Sequence, residues 1–260
     1  MTSEGLHHCT SLLQTVWQTK KLLTSIDAVA ISPPPEEDNQ AFALPGSTWL
    51  HLDQSSNRRG LHCYQGAVNL EESSDTDYCF RVLEGSHKHT DAFYDEHDAA
   101  ANHSVKFDFF KLRDEHITWF KKEHGCRLTK VPVPKGGMVL WDSRTVHDNC
   151  RPEHGRPNSD RWRFVVFVCM GPARWATVKD LAQKRQAYKT MRMTSHWPVQ
   201  NVTTFPERAA SDATSGVPLL KKLPEAARSE EARMLAGVLE YDFEDGEPDG
   251  PAWDPEWRQQ

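Results

Sequence analysis

The sequence lacks the features of several large protein classes. None of its segments is apolar for long enough to form a membrane helix, and Lys20 and Lys21 interrupt the apolar residues near its start, so we expect neither a membrane span nor a signal peptide. Its 37 acidic residues outnumber 31 Lys and Arg, so the formal charge is −6. An acidic chain has no general attraction to nucleic acid or anionic lipid. We therefore expect a cytoplasmic protein with a small-molecule substrate.

The cysteines also exclude two kinds of scaffold. All six are scattered without a Cys-x-x-Cys pair, which argues against a zinc ribbon and against a disulfide framework, and favours reduced thiols. No internal repeat and no glycine-rich phosphate loop is visible. With 260 residues the chain is long enough to bury one sizeable core.

Short strand-like segments bounded by turn residues run through most of the chain. They are Thr48 to Asp53, Leu61 to Leu70, Cys79 to Leu83, Leu128 to Val133, Met138 to Trp141 and Arg161 to Met170. A helix is predicted over Leu12 to Leu23, and a helical block over Ala92 to Cys126. This pattern favours a mainly β fold with flanking helices, as in a jelly-roll or cupin-like barrel, over a βαβ fold.

The predicted organisation is one catalytic domain with a tail. The domain covers residues 1–200 and includes the N-terminal helix and a short strand over Asp27 to Ile31. Residues 201–260 form a C-terminal extension with one helix, around Pro224 to Leu239, and an acidic segment, Glu240 to Asp249. We expect this extension to pack on the same domain.

One strand carries a candidate metal site. Iron that binds a cosubstrate and dioxygen needs open coordination positions, so the protein supplies two imidazoles and one carboxylate on one face. The period of two in a strand sends His51 and Asp53 to the same face. His147, which follows the strand Met138 to Trp141, is predicted as the third ligand.

A second His-x-Asp, His89 and Asp91, lies in a polar segment without strand character. Such a short motif recurs by chance, so its context decides between the two copies. The strand context favours His51 and Asp53.

Two arginines open the segment that follows His147. A chelating cosubstrate with a distal carboxylate requires a cation, and the planar fork of arginine suits a carboxylate. Arg161 and Arg163 share one face of a strand, so either is a candidate anchor, and we favour Arg161. The other arginine would meet a substrate carboxylate or form a surface ion pair. Gln65 and Asn149 are candidate site residues that could equally satisfy buried backbone groups.

Four motifs follow one another along the chain. They are His51-Leu52-Asp53-Gln54, Gly60-Leu61-His62-Cys63-Tyr64-Gln65-Gly66, Val82-Leu83-Glu84-Gly85-Ser86-His87-Lys88 and Trp141-Asp142-Ser143-Arg144-Thr145-Val146-His147. In this order they resemble the phytanoyl-CoA dioxygenase family. The resemblance runs from about Leu22 to Pro198. It implies a double-stranded β-helix that binds Fe(II) and converts 2-oxoglutarate to succinate and carbon dioxide.

The resemblance also implies roles for single residues. His51, Asp53 and His147 match the iron ligands of the family, and Arg161 or Arg163 matches its cosubstrate arginine. Gln65 and Asn149 fall at positions that lie near the cosubstrate in family members. The expected reaction is the oxidation of a C–H bond of a small molecule by O2, with hydroxylation as the default outcome.

Two other functions use the same residues. One is a catalytically inactive barrel that keeps the metal and acts as a sensor or interaction module. The other is a zinc hydrolase with a metal-bound water as nucleophile, which leaves the paired arginines unexplained. A nucleic-acid demethylase of the same fold is disfavoured by the acidic charge. The sequence does not indicate the oligomeric state.

Overall fold

Short strands and a few helices form the computed structural model, which describes residues 3–38, 42–205 and 222–258. In chain order the strands are β1 (Leu22–Thr24), β2 (Val29–Ser32), β3 (His51–Leu52), β4 (Tyr64–Asn69), β5 (Cys79–Glu84), β6 (Phe110–Lys111), β7 (Arg127–Val131), β8 (Met138–Asp142), β9 (His147–Cys150), β10 (Arg163–Phe167) and β11 (Met170–Pro172). The α-helices are α1 (Ser3–Trp17), α2 (Pro35–Asp38), α3 (Thr90–Glu96), α4 (Asp98–Phe107), α5 (Asp114–Thr118), α6 (Val178–Thr190) and α7 (Glu230–Leu235). Single turns of 3-10 or π helix lie at Ser86–Lys88, Trp119–Glu123, Ala173–Trp175, Ala226–Arg228 and Glu256–Arg258.

The described residues fall into two compact units. The barrel unit takes its residues from Val29–Phe167 and Pro255–Gln260. The split unit takes its residues from Met1–Ala28 and Val168–Asp254, so it is assembled from both ends of the chain.

Two antiparallel sheets form the barrel unit. One has the strand order β8-β4-β10-β2 and the other β6-β3-β9-β5-β7. Their inner faces share one core, to which the first sheet contributes Trp141 and Val165 and the second Phe80. This mainly β, double-sheet arrangement with flanking helices is jelly-roll and cupin-like, which confirms the predicted fold class.

A second core lies on the other face of the β3-containing sheet. There Leu50, Leu52 and Leu83 are fully buried against residues of the helical block. The block contributes Phe93, Tyr94, Ala100, Phe110, Leu112, Trp119, Phe120 and Cys126. Helices α3 to α5 therefore anchor the strand that carries His51.

The split unit contains the pair β1 and β11, which run antiparallel with Leu22 opposite Pro172. Trp17 of α1 donates its indole N–H to the Met170 carbonyl at 2.8 Å. Helix α6 begins at a capping box in which Thr177 and Asp180 satisfy each other's backbone N–H. The predicted acidic tail also packs here, because Lys21 donates to Asp245 and Asp249 at 2.6 Å each.

Two predicted helices have different bounds in the structure. Helix α1 begins earlier than predicted and ends at Trp17, because the next residue, Gln18, adopts a positive φ of 54°. The last two residues of the predicted helix, Leu22 and Leu23, belong to β1 instead. The helix predicted around Pro224 to Leu239 is a 3-10 turn followed by α7. Ser229 caps α7 by accepting a bond from the Ala232 N–H, and Gly237, with a φ of 71°, ends it.

The segment predicted as one strand, Arg161 to Met170, is also divided. It forms β10 and β11, which are separated by Val168 and Cys169. Residues 206–221 of the predicted C-terminal extension lie outside the described residues. The predicted domain boundary at residue 200 stays a prediction. Within the described ranges, no helix has the length and apolar character that a membrane crossing requires.

Candidate metal centre

The pleat of β3 separates the predicted metal ligands from the core side chains. Leu50 and Leu52 point into the core beside the helices, whereas His51 and Asp53 face the other way. His147 begins β9, which pairs with β3 so that His51 and His147 are direct neighbours across the ladder. Their ring centroids are 4.4 Å apart. The fold thus brings the three predicted metal ligands together.

The three side chains converge on a shared point. His51 Nε2 lies 3.4 Å from one carboxylate oxygen of Asp53, and His147 Nε2 lies 3.5 Å from the other. All three ligand atoms lie within 4.8 Å of one another. Each residue is at most 8% exposed. Two imidazole nitrogens and one carboxylate therefore meet in a buried position.

Backbone carbonyls orient both imidazoles. Nδ1 of His51 is 3.2 Å from the Trp49 carbonyl, and Nδ1 of His147 is 2.9 Å from the Thr145 carbonyl. A carbonyl only accepts, so Nδ1 carries the proton in both rings and Nε2 presents its lone pair. The same i−2 contact on both strands gives both histidines the tautomer that a metal requires.

Burial also keeps one imidazole neutral. Removal from water, with His147 alongside, lowers the pKa of His51 to about 4. At neutral pH the ring is therefore uncharged without a metal. A neutral imidazole binds a cation without first losing a proton.

Gln65 holds the carboxylate of Asp53 in place. From β4 its amide nitrogen donates to Asp53 at 2.8 Å, and its amide oxygen accepts the indole N–H of Trp141 at 2.9 Å. The side chain is 2% exposed. Both ends of the Gln65 amide are thus used inside the protein, at a position where the sequence predicted a cosubstrate contact.

The two candidate arginines have different environments. Arg161 donates to Asp77 at 2.8 Å and to Glu72 at 3.4 Å. Asp77 in turn accepts from Arg156, whose side chain is fully buried. Arg161 therefore belongs to an ion-pair network that holds the loop between β9 and β10.

Arg163 lacks such partners within the described residues. Its guanidinium lies 6.0 Å from the ring centroid of Phe167, and no hydrogen bond or ion pair to a described residue satisfies it. Burial lowers the pKa of Arg163 to about 10, so the group remains charged at neutral pH. Along β10, Arg163 shares its face with Val165 and Phe167, which line the inner core. The same core includes Phe80 and Trp141, which contact the ring of His147, so Arg163 and His147 both adjoin this core.

Asn149 lies two residues after His147 and therefore on the same face of β9. Its carbonyl accepts the indole N–H of Trp49 at 3.1 Å. The predicted contact of its side chain with a cosubstrate stays a prediction.

The second His-x-Asp motif does not form a metal-ligand group within the described residues. The ring of His89 lies beside that of His124, and Asp91 pairs with Arg59.

Several residues that support the centre were not predicted. Trp49 stacks on the ring of His51 with centroids 4.2 Å apart, and Phe109 lies on it at 5.1 Å. Asp148, fully buried, accepts bonds from Thr48, from the Trp49 N–H and from Arg81. The alternation around His51 places Trp49 on the ligand face, but Asp148 gives no such signal because its partners are distant in sequence.

Gln54 was also missed, although it follows the predicted ligand Asp53 directly. Its amide nitrogen donates to the carbonyls of Arg58 and Gly60, and its amide oxygen accepts from Ser143 at 2.7 Å. This buried amide ties the turn after Asp53 to the segment that leads to His147.

Comparison with known proteins gives one similar sequence and several similar structures. No family model matches the chain. A protein of Aspergillus versicolor named Ava biosynthesis cluster protein O is 32% identical over 192 residues, which is 72% of this chain and 59% of that protein. The chain thus spans about three fifths of its length.

The solved structures are less similar. AviO1 from Streptomyces viridochromogenes Tue57 matches 62% of this chain and 55% of its own, with 17% identity and a TM-score of 0.38. EvdO2 from Micromonospora carbonacea var. aurantiaca, solved in complex with 2-oxoglutarate, matches 64% of this chain and 59% of its own. Its identity is 16% and its TM-score 0.38.

Proposed function

We propose that the protein is an Fe(II)- and 2-oxoglutarate-dependent dioxygenase that oxidises a C–H bond of a small molecule and releases succinate and carbon dioxide. The observation that carries this proposal is the meeting of His51, Asp53 and His147, with both Nε2 atoms directed at one carboxylate. Two imidazoles and one carboxylate on neighbouring strands leave the remaining coordination positions open for a cosubstrate and O2.

The donor set fits ferrous iron. No thiol belongs to the group, so the soft ligand that favours a structural zinc site is missing from it. His51, Asp53 and His147 would hold the ion, and Gln65 would keep the Asp53 carboxylate oriented. When bound, iron with 2-oxoglutarate supplies the oxidising chemistry, which no amino-acid side chain provides.

Arg163 is the better candidate for the cosubstrate anchor. Arg161 already has two carboxylate partners, and to bind a third it would have to leave Asp77. Arg163 is charged, partly buried and on the face of β10 that lines the inner core. A guanidinium in this position would pair with the distal carboxylate of 2-oxoglutarate through two parallel hydrogen bonds.

The remaining residues would shape the site. Trp49 and Phe109 cover the ring of His51, and Phe80 and Trp141 cover that of His147, so apolar surface surrounds both ligands and limits the access of water. Asn149, on the same face as His147, would contact the cosubstrate.

The ordered motifs that resemble the phytanoyl-CoA dioxygenase family support the same reaction. The name of the Aspergillus versicolor relative, which places that protein in a biosynthesis cluster, supports a substrate class. We infer that the substrate is an intermediate of small-molecule biosynthesis. The acidic net charge is consistent with such a substrate rather than with nucleic acid.

The test is iron-dependent release of succinate from 2-oxoglutarate, with and without an extract of biosynthetic intermediates. We expect His147→Ala to reduce release to the level without iron, whereas His103→Ala, at an exposed position, should retain the wild-type rate. Wild-type turnover by His147→Ala would contradict the ligand assignment. Wild-type protein that releases no succinate under any of these conditions would favour the inactive barrel.

A further inference from the structure

A second group of metal-binding side chains lies in the split unit. Asp27 follows β1, Cys169 precedes β11, and His196 lies beyond α6. One ligand atom from each lies within 4.8 Å of the others. None of these residues has a role in the proposed oxygenase reaction.

The three side chains form a partly open pocket of donors. His196 Nδ1 is 2.7 Å from Asp27 Oδ2, and Cys169 Sγ is 3.9 Å from the same oxygen. The side chain of Asp27 is 2% exposed and Cys169 is 1% exposed, whereas the side chain of His196 is 33% exposed. An ion could therefore enter beside His196 and reach two buried ligands.

Hydrogen bonds that involve backbone groups fix the segments that carry these ligands. Ile26 and Thr194 exchange two bonds, from the Ile26 N–H to the Thr194 hydroxyl and from the Thr194 N–H to the Ile26 carbonyl. The Ser25 N–H donates to the Cys169 carbonyl at 2.8 Å. Each of the three candidate ligands therefore lies within two residues of one of these hydrogen bonds. The hydrogen bonds hold the three side chains close together within the split unit.

The Asp27 carboxylate also has the supporting contacts typical of a metal ligand. The Ala28 N–H donates to Oδ1 at 2.7 Å, and the Ser25 hydroxyl donates to Oδ2 at 3.3 Å. Outer hydrogen bonds of this kind orient a carboxylate ligand. An Asp and a His can form a hydrogen bond without any third group. Here, however, the buried thiol of Cys169 lies beside the pair and adds a soft donor that suits zinc.

We propose that Asp27, Cys169 and His196 bind a divalent cation of the zinc class, with a fourth position open to water or a small ligand. Tetrahedral zinc with these ligands separates its donor atoms by roughly 3.3 to 3.8 Å. Asp27 Oδ2 lies 2.7 Å from His196 Nδ1 and 3.9 Å from Cys169 Sγ, which brackets that range, and one ligand atom from each residue lies within 4.8 Å of the others. Closing the site therefore requires changes of about an ångström in these separations.

Binding exchanges protons for the metal. The Cys169 thiol loses its proton to form a metal–sulfur bond, and the cation replaces the proton that His196 and Asp27 share. No electron is transferred. The site differs from the candidate iron centre in one decisive respect, because a thiolate is present here and no sulfur belongs to the His51 group.

Cobalt(II) tests this proposal, because a thiolate bound to cobalt gives a charge-transfer absorption in the near ultraviolet. The titration uses the full chain carrying His147→Ala, so that the candidate iron centre is disabled and its failure cannot be confused with that of this site. We expect one equivalent of cobalt with thiolate absorption, which excess zinc displaces.

Variants in the same background assign the ligands. Cys169→Ser should abolish the thiolate absorption, and His196→Gln should raise the dissociation constant for cobalt about 100-fold or more, since loss of an outer contact alone costs 10- to 100-fold. Cys126→Ser, which removes a buried thiol of the barrel unit, should change neither value. Circular dichroism confirms folding of each variant.

Three results would overturn the proposal. They are binding without thiolate absorption in the starting protein, unchanged absorption in folded Cys169→Ser, and unchanged affinity in His196→Gln. If Cys169→Ser does not fold, the His196→Gln measurement decides, because the side chain of His196 is partly exposed.

Discussion

Gln65 connects the carboxylate ligand of the proposed iron site to the core of the barrel unit. Its amide bridges Asp53 and the indole of Trp141, and all three groups are buried. A buried carboxylate without this donor could rotate away from the two imidazoles. The position of one ligand therefore depends on a residue that does not bind the metal.

Replacement of Gln65 should weaken iron binding without removing a ligand. We expect Gln65→Leu, which is similar in size but cannot donate, to raise the dissociation constant for Fe(II) about 10- to 100-fold. Anaerobic titration measures this constant. Gln186→Leu on the exposed face of α6 is the matched control and should bind as the wild type does. Equal affinities in the two variants would contradict the role of Gln65.

Lys184 has a buried amino group, and none of the described carboxylates is in hydrogen-bond contact with it. It is fully buried in α6, and its ammonium group donates to the Thr24 carbonyl. Burial lowers the pKa of Lys184 to about 7, from 10.5. Between these two values the unfolded chain binds more protons than the folded chain, so this residue makes the free energy of unfolding increase with pH.

Lys184→Met should remove that pH dependence. Between pH 7 and pH 9 we expect the unfolding free energy of the wild type, relative to that of Lys184→Met, to rise by up to about 1.4 kcal/mol per pH unit. Urea unfolding at several pH values measures the difference. Lys189→Met, at an exposed position of the same helix, should follow the wild type. If the unfolding free energies of the wild type and Lys184→Met change with pH in the same way, the lowered pKa of Lys184 is ruled out.

At the scale of elements, the buried carboxylate of Asp148 joins three segments around the candidate metal centre: β5, β9 and the residues before β3. Asp148 of β9 accepts two bonds from Arg81 of β5, at 2.8 and 2.7 Å. The same carboxylate accepts from the Thr48 hydroxyl and the Trp49 N–H, directly before β3. The strands that carry His147 and His51 are therefore held together by a side chain as well as by their ladder.

Loss of this carboxylate should be costly. Asp148→Ala leaves the Arg81 guanidinium buried without its partner, so we expect the unfolding free energy to fall by about 3 to 5 kcal/mol. Glu84→Ala breaks the exposed pair of Glu84 with Arg127 on β5 and β7, and should cost no more than about 1 kcal/mol. Urea unfolding measures the free energy of unfolding of both variants. A similar decrease in the two variants would contradict the larger contribution expected of the buried Asp148 pair.

The elements also show which features the sequence could predict. The period of two in β3 correctly separates Leu50 and Leu52 from His51 and Asp53, because the pleat alone determines it. The division of the segment Arg161 to Met170 into two strands has no comparable local signal. Periodicity describes a segment by itself, whereas strand ends depend on the partners that the segment meets.

At the scale of the whole molecule, the spacing of short strands is sufficient to predict a mainly β, jelly-roll-like fold with flanking helices. The partners of the arginines could not be predicted in this way. Arg161 pairs with Asp77, and Arg156 with Asp77 and Glu36, across long stretches of chain. The sequence shows that two arginines share a face of one strand, but only the folded chain shows which of them is already paired.

Anaerobic titration with Fe(II) and 2-oxoglutarate tests the central claim most directly, because the iron chelate of 2-oxoglutarate absorbs visible light. For the wild type we predict a visible charge-transfer band that is absent in His147→Ala. Arg163→Met should require about 10- to 100-fold more 2-oxoglutarate for the same band, the loss expected for a hydrogen bond to a charged group, and Arg161→Met should match the wild type. No band in the wild type at saturating iron and 2-oxoglutarate, or a full band in His147→Ala, would contradict the account.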